Sequence, residues 1–243
     1  MPTATPLHYL RATLFYAGFY PVTLLYSTFC VLVGWVLPFR PRFQLFTVLN
    51  YFYMIWLRIC CGVRFEVSGL ENLPRSGAYV VVANHQSEWE TLYFQTLVRP
   101  QAVVLKQELL KIPFFGWALG MLQPIALDRS QRRGALKQLL KQGRDRLAQQ
   151  VPVLIFPQGT RIKVGETGRF NKGGAMLAVD SQVPVVPIVH NAGLYWPGKS
   201  FVKFPGTVQV RIGKPLATVE RTVDEVHRDT VAWIEHEMRE IGA

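Results

Sequence analysis

No aspartate or glutamate occurs before Glu66, although Arg11, Arg40, Arg42, Arg58 and Arg64 all precede it. Residues 12–39 carry no charge, and a second uncharged run, 43–57, follows almost at once. Charged residues make up 18% of the chain against 49% apolar, and that deficit sits in the N-terminal quarter, which excludes an ordinary soluble domain there. The first run exceeds the roughly 20 apolar residues that a bilayer crossing needs; the second is shorter and fits a re-entrant or interfacial helix. A cleaved signal peptide is the competing reading, against which stand the length of the first run and the second run that follows it at once. Cysteine is scarce: Cys30, Cys60 and Cys61 are odd in number, and none has a metal-ligand spacing to a histidine. This argues against a disulfide scaffold and reads as apolar filler in a reducing compartment. No Gly-x-Ser-x-Gly elbow occurs, nor a cysteine near a histidine outside the apolar region, which argues against a covalent serine or cysteine intermediate. There is no internal repeat and no low-complexity tract.

The net charge is +11, which calls for an anionic partner. A nucleic-acid module would interleave aromatics with its basic residues. Here the aromatics gather in the charge-free N-terminal third, which favours membrane phospholipid over nucleic acid. Pro21 is expected to kink or break the first run, and residues 38–42 to form the turn before the second. Arginines lie in that turn and on both flanks, so the charge bias leaves the orientation open.

From residue 62 onward the pattern alternates. Strands are expected at 62–68, 80–83, 102–105 (ending at Lys106), 125–127, 153–156, 185–189 and 208–212, and helices at 91–98, 108–121 and 172–180. Ser130 is positioned to cap a further helix. Its apolar face is Leu136, Leu139, Leu140 and Leu147, and its other face carries Arg132, Arg133, Lys137, Lys141, Arg144 and Arg146. That second face is either simply solvated or a surface for phospholipid headgroups or an acidic carrier protein. Thr222-x-x-Glu225 is a capping box opening an amphipathic C-terminal helix. Strands alternating with helices give an α/β fold, a mostly parallel sheet with flanking helices.

In such a sheet the carboxyl ends of the strands share one edge, where α/β folds place their chemistry. His85, Lys106, Arg129 and Gly159-Thr160-Arg161 each follow an expected strand. A cleft with one histidine and three cations suits a phosphorylated substrate with a hydroxyl to be deprotonated. His85 and Glu90 lie five apart, which on one helix would turn them about 140° from each other. They can meet only if the chain turns between them, with Glu90 on the first turn of the next helix. A carboxylate so placed would orient the imidazole as a general base. Arg129 and Arg161 can each grip phosphate bidentately, Gly159 lets backbone approach an anion, and Thr160 can donate a hydroxyl. Backbone N–H groups near Gly159, or a cation, would serve an oxyanion.

Asn84-His85-x-x-x-x-Glu90 resembles the His-x-x-x-x-Asp motif of the 1-acylglycerol-3-phosphate acyltransferase family. Three further blocks match in order: residues 124–129 (PIALDR), residues 156–161 (FPQGTR, usually written FPEGTR) and residues 183–188 (VPVVPI). The resemblance covers about residues 62–215. It implies a membrane-anchoring two-helix hairpin over 1–61 and a catalytic domain over 62–243. It further implies an enzyme facing the cytoplasm (at the inner membrane if bacterial) that moves an acyl chain from acyl-CoA or acyl carrier protein to lysophosphatidic acid. His85 and Glu90 would be catalytic, and Asn84, Lys106, Arg129, Gly159, Thr160 and Arg161 would bind substrate, with no cofactor or metal. Two positions depart from the family pattern: Glu90 stands for the usual Asp, and Gln158 for the Glu of the third block. Gln158 keeps a second acceptor class open, another lysolipid such as a lyso-ornithine lipid or a lysophospholipid. A non-catalytic basic membrane-binding protein is the reading from another class, and the intact His85/Glu90 pair speaks against it. His190, His227 and His236 read as structural.

Overall fold

The computed structural model describes residues 3–128, 130, 132–166 and 168–243, with only the backbone of Arg132 and Arg133. Arg129 lies outside the described residues. The apolar N-terminus forms two helices, α1 (Pro6–Val33) and α2 (Phe39–Cys61), joined by a 3-10 turn at Gly34–Val36. Pro21 sits inside α1, so of the expected kink or break the break does not occur. Its missing N–H removes a single bond from a 28-residue ladder. The turn also falls earlier than expected. Arg40 and Pro41 already belong to the first turn of α2, where a proline's absent N–H has no partner to lose. Both helices are long and apolar enough to cross a bilayer.

The rest of the chain alternates as expected: β1 (Val63–Ser68), β2 (Val80–Ala83), α3 (Trp89–Leu97), β3 (Ala102–Lys106), α4 (Phe115–Met121), β4 (Ile125–Leu127), α5 (Arg132–Ala148), β5 (Val153–Ile155), α6 (Gly173–Asp180), β6 (Val185–His190), β7 (Gly206–Ile212) and α7 (Val223–Glu240). The seven strands lie in the order β1-β7-β6-β2-β5-β3-β4. The pairs β6–β2, β2–β5, β5–β3 and β3–β4 are parallel, so these strands end on one edge. Only β6–β7 is antiparallel among the pairs, and β1 follows β7. β2 is central and buried on both faces, which is why it reads as an unbroken apolar run.

Period-two alternation sends β2 side chains into two different cores. Val81 and Ala83 pack with Trp89 and Phe94 of α3 and with Phe15, Tyr53 and Leu57 of the hairpin. Val80 and Val82 pack with Leu139, Leu177, Val226 and Ile234 of α5, α6 and α7. The hairpin and α3 therefore form one layer over the sheet, and α5, α6 and α7 form the other. Each fully buried Phe or Leu in these layers stabilises by about 1.5–3 kcal/mol.

Two helical expectations need correction. Residues 108–121 are not one helix: a 3-10 turn at Gln107–Lys111 is followed by α4. Pro113 cannot donate within a helix, and Phe114 after it has φ +59, outside the helical region. The basic face of α5 is not evenly solvated either. Arg144 pairs with Asp180, and the Arg146 Nε donates to the Gln123 carbonyl at 3.0 Å. Burial pushes the Arg146 guanidinium below its ordinary value. Leu139 and Leu147 are buried as expected. Ser130 donates both its N–H and its hydroxyl to Asp128 Oδ1, and the residue after it lies outside the described ones. The capping box at Thr222 and Glu225 is formed, with reciprocal bonds of 3.3 and 2.8 Å.

Lys203, just before β7, ties α1 to this body. It is fully buried, its Nζ donates to the Phe201 carbonyl at 2.9 Å, and the ammonium lies 3.6 Å from the Tyr16 ring centroid and 4.7 Å from that of Trp196. Burial pushes its pKa down to about 7. An unfolded lysine titrates near 10.4, so between about pH 7 and 10 the unfolded chain binds the extra proton and stability from this group rises with pH. Lys203→Met removes that slope. The melting temperature of the wild type in detergent should gain on that of the variant between pH 7 and 9; a constant difference would contradict this burial of the amine.

Candidate active site

β2 delivers the chain to the edge shared by five strand ends, and there it turns sharply. Asn84 is the last residue in line with the strand. It is fully buried, and its side-chain amide completes the pairing with β6: Nδ2 donates to the His190 carbonyl at 2.8 Å and Oδ1 accepts the His190 N–H at 3.0 Å. Its side chain is thus committed to a strand bridge, which corrects the expectation that it contacts substrate.

His85 follows, and residues 86–88 turn the chain into α3. Glu90 lies in the first turn of that helix and is fully buried. Its Oε1 sits 2.7 Å from His85 Nδ1 and accepts the N–H groups of Gln86 at 2.9 Å and Ser87 at 2.8 Å. Burial acts to raise the carboxyl pKa. His190, the His85 hydrogen bond and the Ser87 N–H outweigh it and hold Glu90 below its ordinary value. An ionised carboxylate can only accept, so Nδ1 of His85 carries a proton toward it. The ring stacks on Phe156 with centroids 4.4 Å apart and is only 15% exposed.

The loop after β5 grips the histidine backbone from both sides. The His85 N–H donates to Gln158 Oε1 at 2.7 Å, and the His85 carbonyl accepts the Ile162 N–H at 2.8 Å. Gln158 thus does a job that needs a carbonyl oxygen and no charge. Arg161, from the same loop, is held by Glu88 Oε1 at 2.7 Å and donates from Nε to the Ser87 carbonyl at 3.1 Å. Gly159 has φ +71, and a Cβ added there would meet nothing within 4 Å, so the glycine serves the turn. The Gly159 N–H donates to the Phe156 carbonyl at 3.0 Å, which leaves an oxyanion to other donors. Thr160 beside it is exposed.

Lys106 ends β3 on the same edge. Register puts it level with Asn84 across β5, about 10 Å away at ordinary strand spacing. It is exposed and paired with Glu108 at 3.0 Å. The structure therefore brings together His85, Glu90 and the loop carrying Gly159, Thr160 and Arg161, keeps Lys106 at the rim and places Asn84 beneath. Three further residues take part: His190, which the sequence marks only as structural, Gln158, marked only as a departure from the family pattern, and Glu88, which the sequence does not mark. His190 is buried behind Glu90, with Nε2 on the Asn84 carbonyl at 2.9 Å and 3.9 Å from Glu90 Oε1. Its Nδ1 accepts the Ala192 N–H at 3.2 Å, and burial pushes its pKa down against the pull of Glu90. Glu88 meets Arg161 across 73 positions of chain, a contact that no local spacing announces.

Residues 64–191 match the Acyltransferase family model. The chain is 46% identical to a 1-acyl-sn-glycerol-3-phosphate acyltransferase of Pseudomonas aeruginosa, over 96% of this chain and 92% of that one. The chain belongs to the acyltransferase family. A second relative, a 1-acyl-sn-glycerol-3-phosphate acyltransferase of Saccharomyces cerevisiae, is 31% identical over 90% of this chain and 73% of its own length. The crystal structure of the 1-acyl-sn-glycerophosphate (LPA) acyltransferase PlsC of Thermotoga maritima superposes with a TM-score of 0.79 at 25% identity, covering 96% of this chain and 95% of that one. This acyltransferase thus shares with that protein its fold over nearly the whole chain, hairpin included.

The Gln158 contact makes a stability prediction. Gln158→Glu keeps an acceptor for the His85 N–H, whereas Gln158→Leu leaves it unsatisfied in a buried site, at a cost of about 1–3 kcal/mol. Denaturant melts in detergent should show the Leu variant losing that much and the Glu variant clearly less; equal losses would mean that the hydrogen bond to His85 carries no stability.

Proposed function

We propose that this acyltransferase moves an acyl chain from acyl-CoA or acyl carrier protein to the free hydroxyl of a 1-acylglycerol 3-phosphate, giving phosphatidic acid. The observation that carries this reading is the 2.7 Å contact between His85 Nδ1 and Glu90 Oε1, which leaves Nε2 as a base. Nε2 takes the hydroxyl proton as the oxygen attacks the thioester carbonyl carbon. The C–S bond then breaks, the new ester forms, and the imidazolium returns the proton to the departing thiolate. Glu90 steadies the imidazolium without taking the proton. Phe156 keeps one ring face dry. No acyl-enzyme forms, and no cofactor or metal takes part.

Arg161 receives the acceptor's anionic group, with Thr160, Lys106 at the rim and Arg129 assisting. Residues 1–61 hold the enzyme on the membrane and 62–243 carry out the chemistry on the cytoplasmic side, at the inner membrane if the source is bacterial. The partners are the lysolipid, the acyl donor and membrane phospholipid, with no role for nucleic acid. The Glu88 carboxylate on Arg161 supports a second reading, another lysolipid such as a lyso-ornithine lipid or a zwitterionic lysophospholipid, since it would greet an ammonium group and must be displaced by a bare phosphate.

Two experiments follow. In the full-length protein, His85→Ala should lower kcat for lysophosphatidic acid by about 10²–10⁴-fold, the range for a lost general base, and Glu90→Gln by less. Near-normal turnover by a folded His85→Ala protein would overturn the mechanism. Glu88→Gln removes one charge near the acceptor phosphate. At about 6 Å and an effective dielectric near 20 that charge is worth on the order of 3 kcal/mol before screening, and a third of that is a several-fold change. The kcat/KM ratio of lysophosphatidic acid to a zwitterionic lysophospholipid should rise several-fold, with stability within about 1 kcal/mol because the ion pair is partly exposed. An unchanged ratio would remove the Arg161–Glu88 pair from the headgroup site.

A further inference from the structure

The segment between β3 and β4 exposes more apolar surface than its place in a folded domain explains. Leu109, Ile112, Phe114, Phe115 and Trp117 fall within nine positions, each between 37% and 49% exposed. Single exposed apolar residues need no account, but a contiguous aromatic patch marks an interaction surface. Its inner side is fixed: Ala118, Leu119, Met121 and Leu122 pack with Cys30 of α1 and Phe43 and Phe46 of α2. Its outer side is held out by backbone strain. Phe114 has φ +59 and ψ −64, and the Phe115 N–H closes a γ-turn onto the Pro113 carbonyl at 2.7 Å. A bulky residue in that region costs about 1–3 kcal/mol, a cost the surrounding packing sustains. The Phe114 and Trp117 rings lie 5.2 Å apart and form the tip.

We infer that residues 109–117 are a third lipid-inserting element, separate in sequence from the hairpin, that seats the mouth of the active site on the bilayer surface. This rests on the membrane attachment proposed above and extends it. Two observations choose a lipid surface over a protein partner. The patch adjoins the apolar turn of the hairpin: Met121 of α4 lies against Gly34 of that turn, and Trp35 and Val36 beside it are 74% and 59% exposed. It also carries the chemistry of a membrane interface, with Phe and Trp flanked by exposed Lys106 and Lys111. The segment begins where β3 ends, at the edge that carries His85, so an acceptor whose acyl chain stays in the bilayer can reach the base with its hydroxyl.

The test uses the full-length enzyme in vesicles of phosphatidylethanolamine and phosphatidylglycerol. A polarity-sensitive fluorophore is attached to a cysteine at position 115, 25 or 214 in three separate proteins; the native cysteines are buried. Leu25 on α1 is 71% exposed and reports the hairpin, while Lys214 is exposed and lies beyond β7. A lipid nitroxide placed shallow in the acyl region should quench the probes at 25 and 115 and leave 214 unchanged. Quenching at 25 with position 115 behaving like 214 would overturn the third element and leave the hairpin attachment standing. No quenching at either would overturn both. A shift at 115 that appears without vesicles and rises with protein concentration would assign the patch to a second copy and overturn the lipid reading. As a functional arm, the triple substitution Phe114→Ser, Phe115→Ser, Trp117→Ser should raise KM at least about fivefold for a long-chain acceptor in vesicles, from lost apolar burial, and leave a short-chain soluble acceptor unaffected. An equal effect on both, or none, would contradict it.

Discussion

A single carboxylate oxygen, Glu90 Oε1, collects three N–H groups in a fully buried position. Much of the surrounding architecture serves that convergence. The central strand must be buried on both faces to bring His85 to the edge in a dry setting. The chain must then turn within four residues so that a helix begins with its carboxylate under the ring. Two of the three donors are backbone N–H groups of the turn that leads into α3. The turn and the imidazole therefore stabilise the same anion.

The second constraint is that the hairpin is a layer of the fold. Phe15, Tyr53 and Leu57 lie in one core with Val81 and Ala83 of the strand that presents His85. Lys203, enclosed by Tyr16 and Trp196, joins α1 to the approach to β7. Anything that moves α1 is felt one packing layer from the proposed base. Membrane attachment and catalysis are, in the proposed reading, coupled through ordinary side-chain packing.

Much of this was legible in the residues. The apolar run at 80–83 gave the central strand, the alternation after it gave the α/β class, and the capping box at Thr222 placed α7. The five-residue spacing of His85 and Glu90 required a turn, and a turn is there. Failures came where a local rule met tertiary context. Pro21 costs one hydrogen bond in a long apolar helix, too little to break it. Pro113 breaks a segment whose hydrophobicity alone reads as continuous helix. Asn84 looks like a site residue by position, and only the pairing with His190 shows that its amide is already used. Glu88 and Gln158 could not be placed from spacing, because each acts on a segment more than 70 residues away. Gln158 is the instructive case: its missing charge left open whether specificity was altered or an amide served as well, and the structure puts the amide oxygen on the His85 N–H, where charge is not required.

The central claim is that Glu90 fixes the proton on His85 Nδ1 and leaves Nε2 free to act as a base. Nitrogen NMR of histidine-labelled full-length protein in detergent reads this tautomer directly, with His85 assigned by its absence from the His85→Ala spectrum. The account predicts a ring with Nδ1 protonated and Nε2 bare, and a mixed tautomer once Glu90 is replaced by Gln. A wild-type ring protonated on Nε2, or a Glu90→Gln ring indistinguishable from it, would contradict the account.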